Sequence, residues 1–374
     1  MDITFPSSYE DSRARFIRDF ELLRPQWAES HLETYLLKTD PSLSIDYAHA
    51  VPRKKENLVI ITTAEHGIEG YVGSAMLKIF MDEFAPRLNP ENTGLLLVHA
   101  INPWGMKNKR KVNENSVDLN RNFVYGKFNT EINPDFKILK YLFTPQRPVR
   151  SFFIESLSFL GRVIRAMLTT GISRVSTAAL LGQHQTPKGF YYGGTQHEES
   201  TQVLMNLYRK ALEEYDTVIQ MDIHTGYGPR DQMSIIIPPV DPISSKEAAE
   251  KFKYPLVQKI NPEEFYAISG DMGEYYYLLR NEEFPLKKIF VCGFEFGTFG
   301  DSLPARIRSL RAMIFENQLN WHGAVNETSE QAIRHEFNEL YFPADPQWRE
   351  KALSDCRQAT AGILSAFGLI TAKR

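Results

Sequence analysis

The sequence predicts an α/β fold, built on a doubly wound, mixed and mostly parallel sheet with helices on both faces. Short aliphatic or β-branched runs, bounded by Gly, Pro or polar residues, alternate along the chain with segments of helical periodicity. Runs of this kind are typical of strands covered on both faces, and their alternation with helices is typical of a doubly wound sheet. The 374 residues are 43% hydrophobic, which suffices for one large core or two smaller ones.

The periodicity places each element. Strands are predicted at 58–63, 95–101, 218–223, 233–237 and 289–296. Helices are predicted at 71–84, 198–214, 244–259, 304–317 and 348–367. An N-terminal helix at 9–24 has Phe16, Ile17, Phe20 and Leu23 on one side, so we expect it to dock on the core.

An apolar stretch at 152–182 resembles a membrane span at first sight. Charged residues interrupt it, however, at intervals much shorter than the ~20 apolar residues that a span needs. Its apolar residues instead approximate a helical stripe that we expect to face the core, formed by Phe153, Leu157, Leu160, Val163, Ile164 and Met167. We therefore predict a packed helical insertion at about 130–187. A membrane-surface helix or an oligomer contact is the weaker alternative.

Composition limits the partners. A net charge of −3 and a pI near 6.3 give no electrostatic reason to expect nucleic acid or an anionic membrane. The first residues lack the basic start and apolar run of a secretory signal.

The cysteine content bears on the cellular compartment. The two cysteines, Cys292 and Cys356, are too few for a disulfide framework, which fits a reducing compartment. We expect a cytoplasmic protein, with a homo-oligomer left open.

Two histidines and a glutamate follow predicted strands. His66 and Glu69 come directly after the strand at 58–63, and His224 comes after the strand at 218–223. Both positions lie at the carboxyl edge of the sheet, where open α/β folds place their sites. A single histidine here would more often be a core or capping residue. Two ligands close in sequence and a third far away, however, are a common way to build a catalytic zinc site.

Glu295 ends the predicted strand at 289–296 inside an aromatic and aliphatic stretch. A carboxylate in such a position is costly unless it has a partner or a task. Beside a metal it would serve as a general base, because the metal stabilises the charged form. A buried ion pair with an arginine is the alternative, and Glu65 and Glu114 are weaker candidates for the base.

The segment 102–123, which includes the motifs N-P-W-G and D-L-N-R, contains five cations: Lys107, Lys109, Arg110, Lys111 and Arg121. A run of cations is usually solvated surface. The apolar and turn residues on both sides instead favour a fixed loop lining a cleft, where Arg110 and Arg121 can bind a carboxylate or an oxyanion. Asp118 is a candidate to accept the free ring N–H of His66.

Five motifs in order carry a family resemblance: E-H-G-I-E-G at 65–70, N-P-W-G at 102–105, D-L-N-R-N-F at 118–123, D-I-H-T-G at 222–226 and F-E-F-G-T at 294–298. Their order resembles the zinc carboxypeptidase superfamily, which includes carboxypeptidase A and a deacylase branch of aspartoacylases and succinylglutamate desuccinylases. The chain is most similar to a poorly characterised bacterial metallopeptidase branch with S-Y-x-D-S-R near its start, here at 8–13.

The resemblance implies one catalytic Zn²⁺ bound by His66, Glu69 and His224. It also implies that Glu295 is the general base that later protonates the leaving amine. A single zinc-hydrolase domain would then span residues 1–374.

The same resemblance implies that Arg110 polarises the scissile carbonyl and that Asn120 and Arg121 bind the terminal carboxylate of the substrate. The segment G-D-M-G-E-Y-Y-Y at 270–277 contains three candidates for the tyrosine that caps the substrate: Tyr275, Tyr276 and Tyr277. For each of them a core or surface aromatic is the alternative. Two departures stand out. The segment between 125 and 198 is long, and F-E-F-G-T replaces the usual F-E-L-R.

The resulting prediction is a metallocarboxypeptidase-like hydrolase that cleaves a C-terminal amide bond with metal-activated water. The alternative enzyme is an N-acyl amino acid deacylase of the aspartoacylase type, and a binding module with a relic metal site is the non-enzymatic one. Either enzyme would act on a small peptide or N-acyl amino acid with a free carboxylate. No nucleic-acid or membrane partner is expected.

Overall fold

The structure is a computed structural model that describes residues 5–259 and 270–371. In this part of the chain eight strands form one sheet in the order β1-β2-β4-β3-β5-β8-β6-β7. The strands are β1 Glu29–Leu36, β2 Ser44–Val51, β3 Asn57–Thr63, β4 Thr93–His99, β5 Thr217–Thr225, β6 Met233–Ile237, β7 Val257–Lys259 and β8 Lys288–Phe296. The β4-β3-β5-β8 centre and the β6-β7 pair are parallel, whereas β1-β2, β2-β4 and β8-β6 are antiparallel. The predicted mixed, mostly parallel sheet is confirmed.

Helices occupy both faces of this sheet. They are α1 Tyr9–Leu23, α2 Gly70–Ile79, α3 Pro103–Lys107, α4 Pro134–Ile138, α5 Lys140–Phe143, α6 Phe152–Thr170, α7 Ile172–Leu180, α8 Glu199–Glu214, α9 Ser245–Phe252, α10 Met272–Glu283, α11 Leu303–His322, α12 Glu327–Tyr341 and α13 Pro346–Ala366. Alternate residues of each strand point to opposite faces. On one face the sheet packs against α1, α2, α9 and α13, and on the other it packs against α8 and α10.

All five predicted strands exist, but three of the eight strands in the described part of the chain were not predicted. β1 is largely solvent-exposed and polar, so it has no hydrophobic run to recognise. β7 lies inside the segment predicted as a helix at 244–259, and that prediction is wrong beyond residue 252. The helix ends there because Lys253 adopts a left-handed conformation with φ of 51°.

The segment α4–α7 packs through a separate apolar cluster against α11 and α12. The prediction of which face of α6 is buried is wrong for most of the stripe. Phe153, Leu157, Leu160 and Ile164 are exposed, and the helix buries Phe159, Val163 and Ala166 together with Glu155. No helix within residues 5–259 and 270–371 is long and apolar enough to cross a bilayer.

Candidate metal centre and cleft

Three adjacent parallel strands bring the predicted site residues to one edge. β3 ends at Thr63, and His66 follows just before a 3₁₀ turn at Gly67–Glu69. His224 is the second-last residue of β5 rather than a residue beyond it, and it pairs in register with Glu295 of β8. The carboxyl ends of these strands therefore gather the residues that the sequence placed at strand ends.

The turn that carries Glu69 is held by the loop around α3. The N–H of Gly67 donates to the carbonyl of Lys111 at 3.1 Å, and the N–H of Ile68 donates to the carbonyl of Arg110 at 2.9 Å. A Cβ on Gly67 would lie 2.1 Å from the carbonyl carbon of Gly105. The glycine is required because the N-P-W-G loop packs directly on the backbone of this turn.

Both histidines present Nδ1 to the same carboxylate. The Nδ1 atom of His66 lies 2.9 Å from Oε1 of Glu69, and the Nδ1 atom of His224 lies 3.2 Å from Oε2. Their Nε2 atoms face two other carboxylates. Nε2 of His66 lies 3.2 Å from Oδ1 of Asp118, and Nε2 of His224 contacts Asp222. The predicted contact between Asp118 and His66 is confirmed. Asp222 was missed, although its place two residues before His224 was a usable signal.

The charged groups at this centre shift one another's pKa values. Burial opposes ionisation of Glu69, but His66 and His224 outweigh it and lower its pKa to about 2. Burial likewise opposes ionisation of Asp118, yet Lys111 and His66 hold its pKa well below the usual range. Buried carboxylates therefore surround the two rings, and positive charge placed between them is favoured.

This donor set fits a zinc ion. Two imidazole nitrogens and a carboxylate suit Zn²⁺, and ligating histidines usually give their other ring nitrogen to a carboxylate, as both do here. Glu65, His66 and His224 also place ligand atoms within 4.8 Å of one another. Glu65, however, approaches Nε2 of His224 at 3.5 Å, on the side occupied by Asp222. Glu69 is the carboxylate that faces both Nδ1 atoms.

Glu295 is buried beside this centre. Its Oε1 accepts a hydrogen bond of 2.8 Å from the N–H of Tyr227. Burial and the neighbouring charge of Glu69 raise its pKa to about 8. Two other carboxylates were candidates for the base. Glu65 is fully buried, and its Oε2 lies 3.5 Å from Nε2 of His224. Glu114 accepts a hydrogen bond of 3.2 Å from the hydroxyl of Thr39.

A cleft of about 390 Å³ opens onto the centre. His66, Glu69, His224 and Glu295 form part of its wall. Helices α6, α7 and α11 supply an apolar wall through Val163, Met167, Ile172, Val175, Ile307, Leu310 and Met313. The segment α4–α7 thus shapes the cleft as well as covering the core.

Arg121 also lines the cleft, with Asn120 beside it. Its guanidinium donates to the carbonyls of Asn120 at 2.7 Å and Leu180 at 2.9 Å, and lies 4.9 Å from the ring centre of Tyr191. Among the residues described, no carboxylate lies within ion-pair distance of it, and its Nε has no hydrogen-bond partner. Oδ1 of Asn120 accepts from the N–H of Met272 at 3.1 Å. Arg121 therefore offers a buried positive charge to a ligand.

The structure does not bring Arg110 to this cleft. Its Nε donates to Oε1 of Glu316 at 2.6 Å, its Nη2 lies 3.3 Å from Oε2, and both side chains are largely buried. Lys111 faces the cleft instead, where its Nζ donates to Oδ2 of Asp118 at 2.7 Å. The sequence could not separate these neighbours, because both are cations in one loop.

Tyr275 and Tyr276 of α10, two of the candidates for the substrate-capping tyrosine, point into the core rather than into the cleft. Tyr275 packs between Phe123 and Tyr125, with ring centres 6.0 Å away in each case. Tyr276 is fully buried and stacks on Tyr208 at 4.3 Å.

The third tyrosine, Tyr277, contacts Asp241 through its hydroxyl. Among the described residues, the tyrosines that line the cleft are Tyr191, Tyr227 and Tyr341, and none of them was a candidate for the substrate-capping tyrosine. They reach the cleft from two loops and the end of α12, which only the tertiary structure brings together.

The fold and site together define an α/β protein with a candidate His–Glu–His metal centre at the carboxyl ends of parallel strands. The chain belongs to the family described as "Protein of unknown function (DUF2817)", whose model matches residues 5–355. No curated protein matches the sequence.

Several solved structures are similar to the chain. Bovine thrombin-activatable fibrinolysis inhibitor, in complex with tick carboxypeptidase inhibitor, is 13% identical over 84% of this chain and 96% of its own, with a TM-score of 0.47. Carboxypeptidase A from Helicoverpa armigera is 13% identical over 96% and 76%, with a TM-score of 0.46. A putative succinylglutamate desuccinylase/aspartoacylase family protein from Shewanella amazonensis is 15% identical over 92% and 73%, with a TM-score of 0.43.

Proposed function

We propose that this protein is a zinc-dependent hydrolase that cleaves an amide bond near a free carboxylate, in the manner of a metallocarboxypeptidase. The observation that carries the proposal is the arrangement of His66 and His224. Each ring turns Nδ1 to Glu69 and Nε2 to a separate buried aspartate. This is the arrangement expected of oriented metal ligands. The order of the sequence motifs supports the same conclusion.

When bound, zinc supplies Lewis acidity and lowers the pKa of water, which makes water a nucleophile near neutral pH. Glu295 is the group that moves the proton. The N–H of Tyr227 holds its Oε1, so Oε2 is the atom that accepts a proton from the attacking water and passes it to the leaving amine. Burial raises the pKa of Glu295, and a bound cation beside it would favour the charged form that a base needs.

Arg121 binds the substrate's carboxylate. Its guanidinium is buried, lines the cleft and carries no ion pair among the described residues, so a ligand carboxylate would complete its coordination. Asn120 beside it contributes a side-chain amide whose Oδ1 is already fixed by Met272. Arg121 and Asn120 could bind the carboxylate of either a peptide C-terminus or an N-acyl amino acid. In both substrates the bond that is cleaved is an amide.

The experiment is a substrate screen with purified, zinc-loaded protein. C-terminal dipeptides are compared with N-acyl amino acids, and the Glu295→Gln variant is run in parallel with the wild type. We expect hydrolysis of at least one acid-bearing class by the wild type and its loss in the variant. Hydrolysis confined to N-acyl amino acids would assign the deacylase activity. Zinc binding without hydrolysis of either class would contradict the proposal.

A further inference from the structure

We propose that the outer face of α6 binds the surface of an anionic lipid bilayer. Large apolar side chains stand exposed along this single helix, with 69% of Phe153, 56% of Leu157 and 82% of Leu168 accessible. Leu160 and Ile164 between them are exposed to 45% and 50%. A soluble protein rarely leaves such a continuous apolar stripe uncovered unless it is an interaction surface.

The stripe is distinct from the side of α6 that packs on the protein. On a helix of 3.6 residues per turn, the five exposed positions fall within an arc of roughly 80°. The buried residues Phe159, Val163 and Ala166 lie on the opposite side and join the apolar cluster with α11 and α12. The helix is therefore apolar on two faces, and within residues 5–259 and 270–371 only one of them is covered.

The charge of the segment around α6 indicates what kind of partner binds the exposed stripe. Residues 130–188 contain eight Lys and Arg but three Asp and Glu, a net charge of +5 within a chain of net charge −3. A second copy of this chain would bring like charge against like charge at this face, whereas an anionic surface is complementary. The overall negative charge conceals this local excess.

The arrangement of the cations also suits a membrane interface. Arg165 lies next to the stripe with its guanidinium 5.1 Å from the ring centre of Tyr141, and Arg162 donates to the carbonyl of Tyr141. Ile138 of α4 is also exposed, to 58%. Of these two arginines Arg165 is the one that borders the stripe, and an apolar helical face bordered by a cation is typical of helices that lie in the headgroup region of anionic membranes.

The consequence concerns the cleft. Met167 of α6 and Ile172 of α7 line the cleft, and Ile172 is also 58% exposed. The helix that carries the stripe, α6, and the next helix, α7, therefore also form part of the wall of the cleft. Docking of the stripe would bring the mouth of the cleft to the bilayer surface, where substrates with an apolar group partition.

Flotation of the full chain with vesicles tests this proposal without reference to activity. One set of vesicles is phosphatidylcholine alone, and the other contains equal parts phosphatidylglycerol and phosphatidylcholine. The variant Leu157→Gln/Ile164→Gln/Leu168→Gln removes apolar surface from the stripe. Leu286→Gln is the matched control, because Leu286 is 94% exposed and lies far along the chain from the stripe. Circular dichroism and Tm verify that each variant is folded.

We expect binding to anionic vesicles that weakens with salt and falls about tenfold or more in the triple variant, with Leu286→Gln unchanged. Absence of wild-type binding to anionic vesicles would overturn the proposal, as would equal binding by the triple variant. Analytical ultracentrifugation adds a further outcome. A wild-type dimer that the triple variant loses would assign the stripe to a second copy and also overturn it.

Discussion

His224 and Glu295 stand directly opposite each other in the neighbouring parallel strands β5 and β8. Their side chains leave the sheet on the same face. The candidate metal ligand His224 and the candidate base Glu295 are therefore neighbours in adjacent strands. The spacing between them is thus set by backbone hydrogen bonding rather than by flexible loops. A reaction that moves a proton beside a metal benefits from such rigid positioning.

Glu69, rather than Glu65, should be the carboxylate needed for zinc. Because Glu69 faces Nδ1 of both His66 and His224, Glu69→Gln should abolish tight binding, whereas Glu65→Gln should retain it. Isothermal titration of metal-free protein with zinc measures both affinities. The reverse ranking of the two variants would move the site to the Glu65 side of His224.

Glu295→Gln should keep the metal and the fold but lose roughly 10²-fold or more in kcat. The reason is that an amide retains the shape of the side chain and its contact with Tyr227 but cannot take a proton near neutral pH. Steady-state kinetics and zinc content of the purified variant are the measurements. Turnover within a few-fold of the wild type would remove Glu295 from the role of base.

Arg121→Ala should erase the preference of the enzyme for a free carboxylate. In the wild type, amidation of that carboxylate should cost several kcal/mol of transition-state binding, because the buried guanidinium would lose its charged partner. The comparison is kcat/KM for a matched acid and amide in both proteins. An acid preference that survives in the variant would show that the D-L-N-R arginine is structural.

Arg110→Met should act on stability rather than on turnover. Arg110 and Glu316 form a largely buried pair, with 8% and 15% of their side chains exposed, and removing one partner leaves the other charge uncompensated. We expect the free energy of unfolding to fall by about 3 kcal/mol. Urea denaturation measures it, and the double variant Arg110→Met/Glu316→Leu should recover much of the loss. A large drop in kcat at unchanged stability would restore Arg110 to the reaction.

His99 should make the protein sensitive to mild acid. The ring is fully buried against Phe16 and Ser12, and burial lowers its pKa from 6.5 to about 4. Between these values the unfolded chain binds a proton that the folded protein does not. Stability is therefore intact above pH 6.5 and falls as the pH drops towards 4, by on the order of 3 kcal/mol.

Urea denaturation across this pH range, on wild type and His99→Gln, isolates that contribution. The variant has no titrating ring, so its free energy of unfolding should decline less steeply over the same interval. Parallel slopes for the two proteins would show that His99 is not the group responsible.

The sequence alone was sufficient for the central sheet and for the residues at its carboxyl edge. The sequence of a buried parallel strand is apolar along its whole length. Polar residues at the end of such a strand are therefore easy to identify in the sequence. Both histidines, Glu69 and Glu295 could be recognised in this way, and the structure brings all four to one cleft. The edge strand β1 could not be found, because an exposed strand carries no comparable hydrophobic signal.

Only the tertiary structure could distinguish the roles of residues that have the same type of side chain in the same segment. Arg110 and Arg121 occupy the same cationic loop, but one meets Glu316 on α11, 206 residues away, and the other is left facing the cleft. The helical period of α6 was clear from the sequence, yet the choice between its two apolar faces depended on where α11 and α12 pack. Periodicity determines that residues share a face. Long-range packing determines which face is buried, because that contact is made by segments distant in the chain.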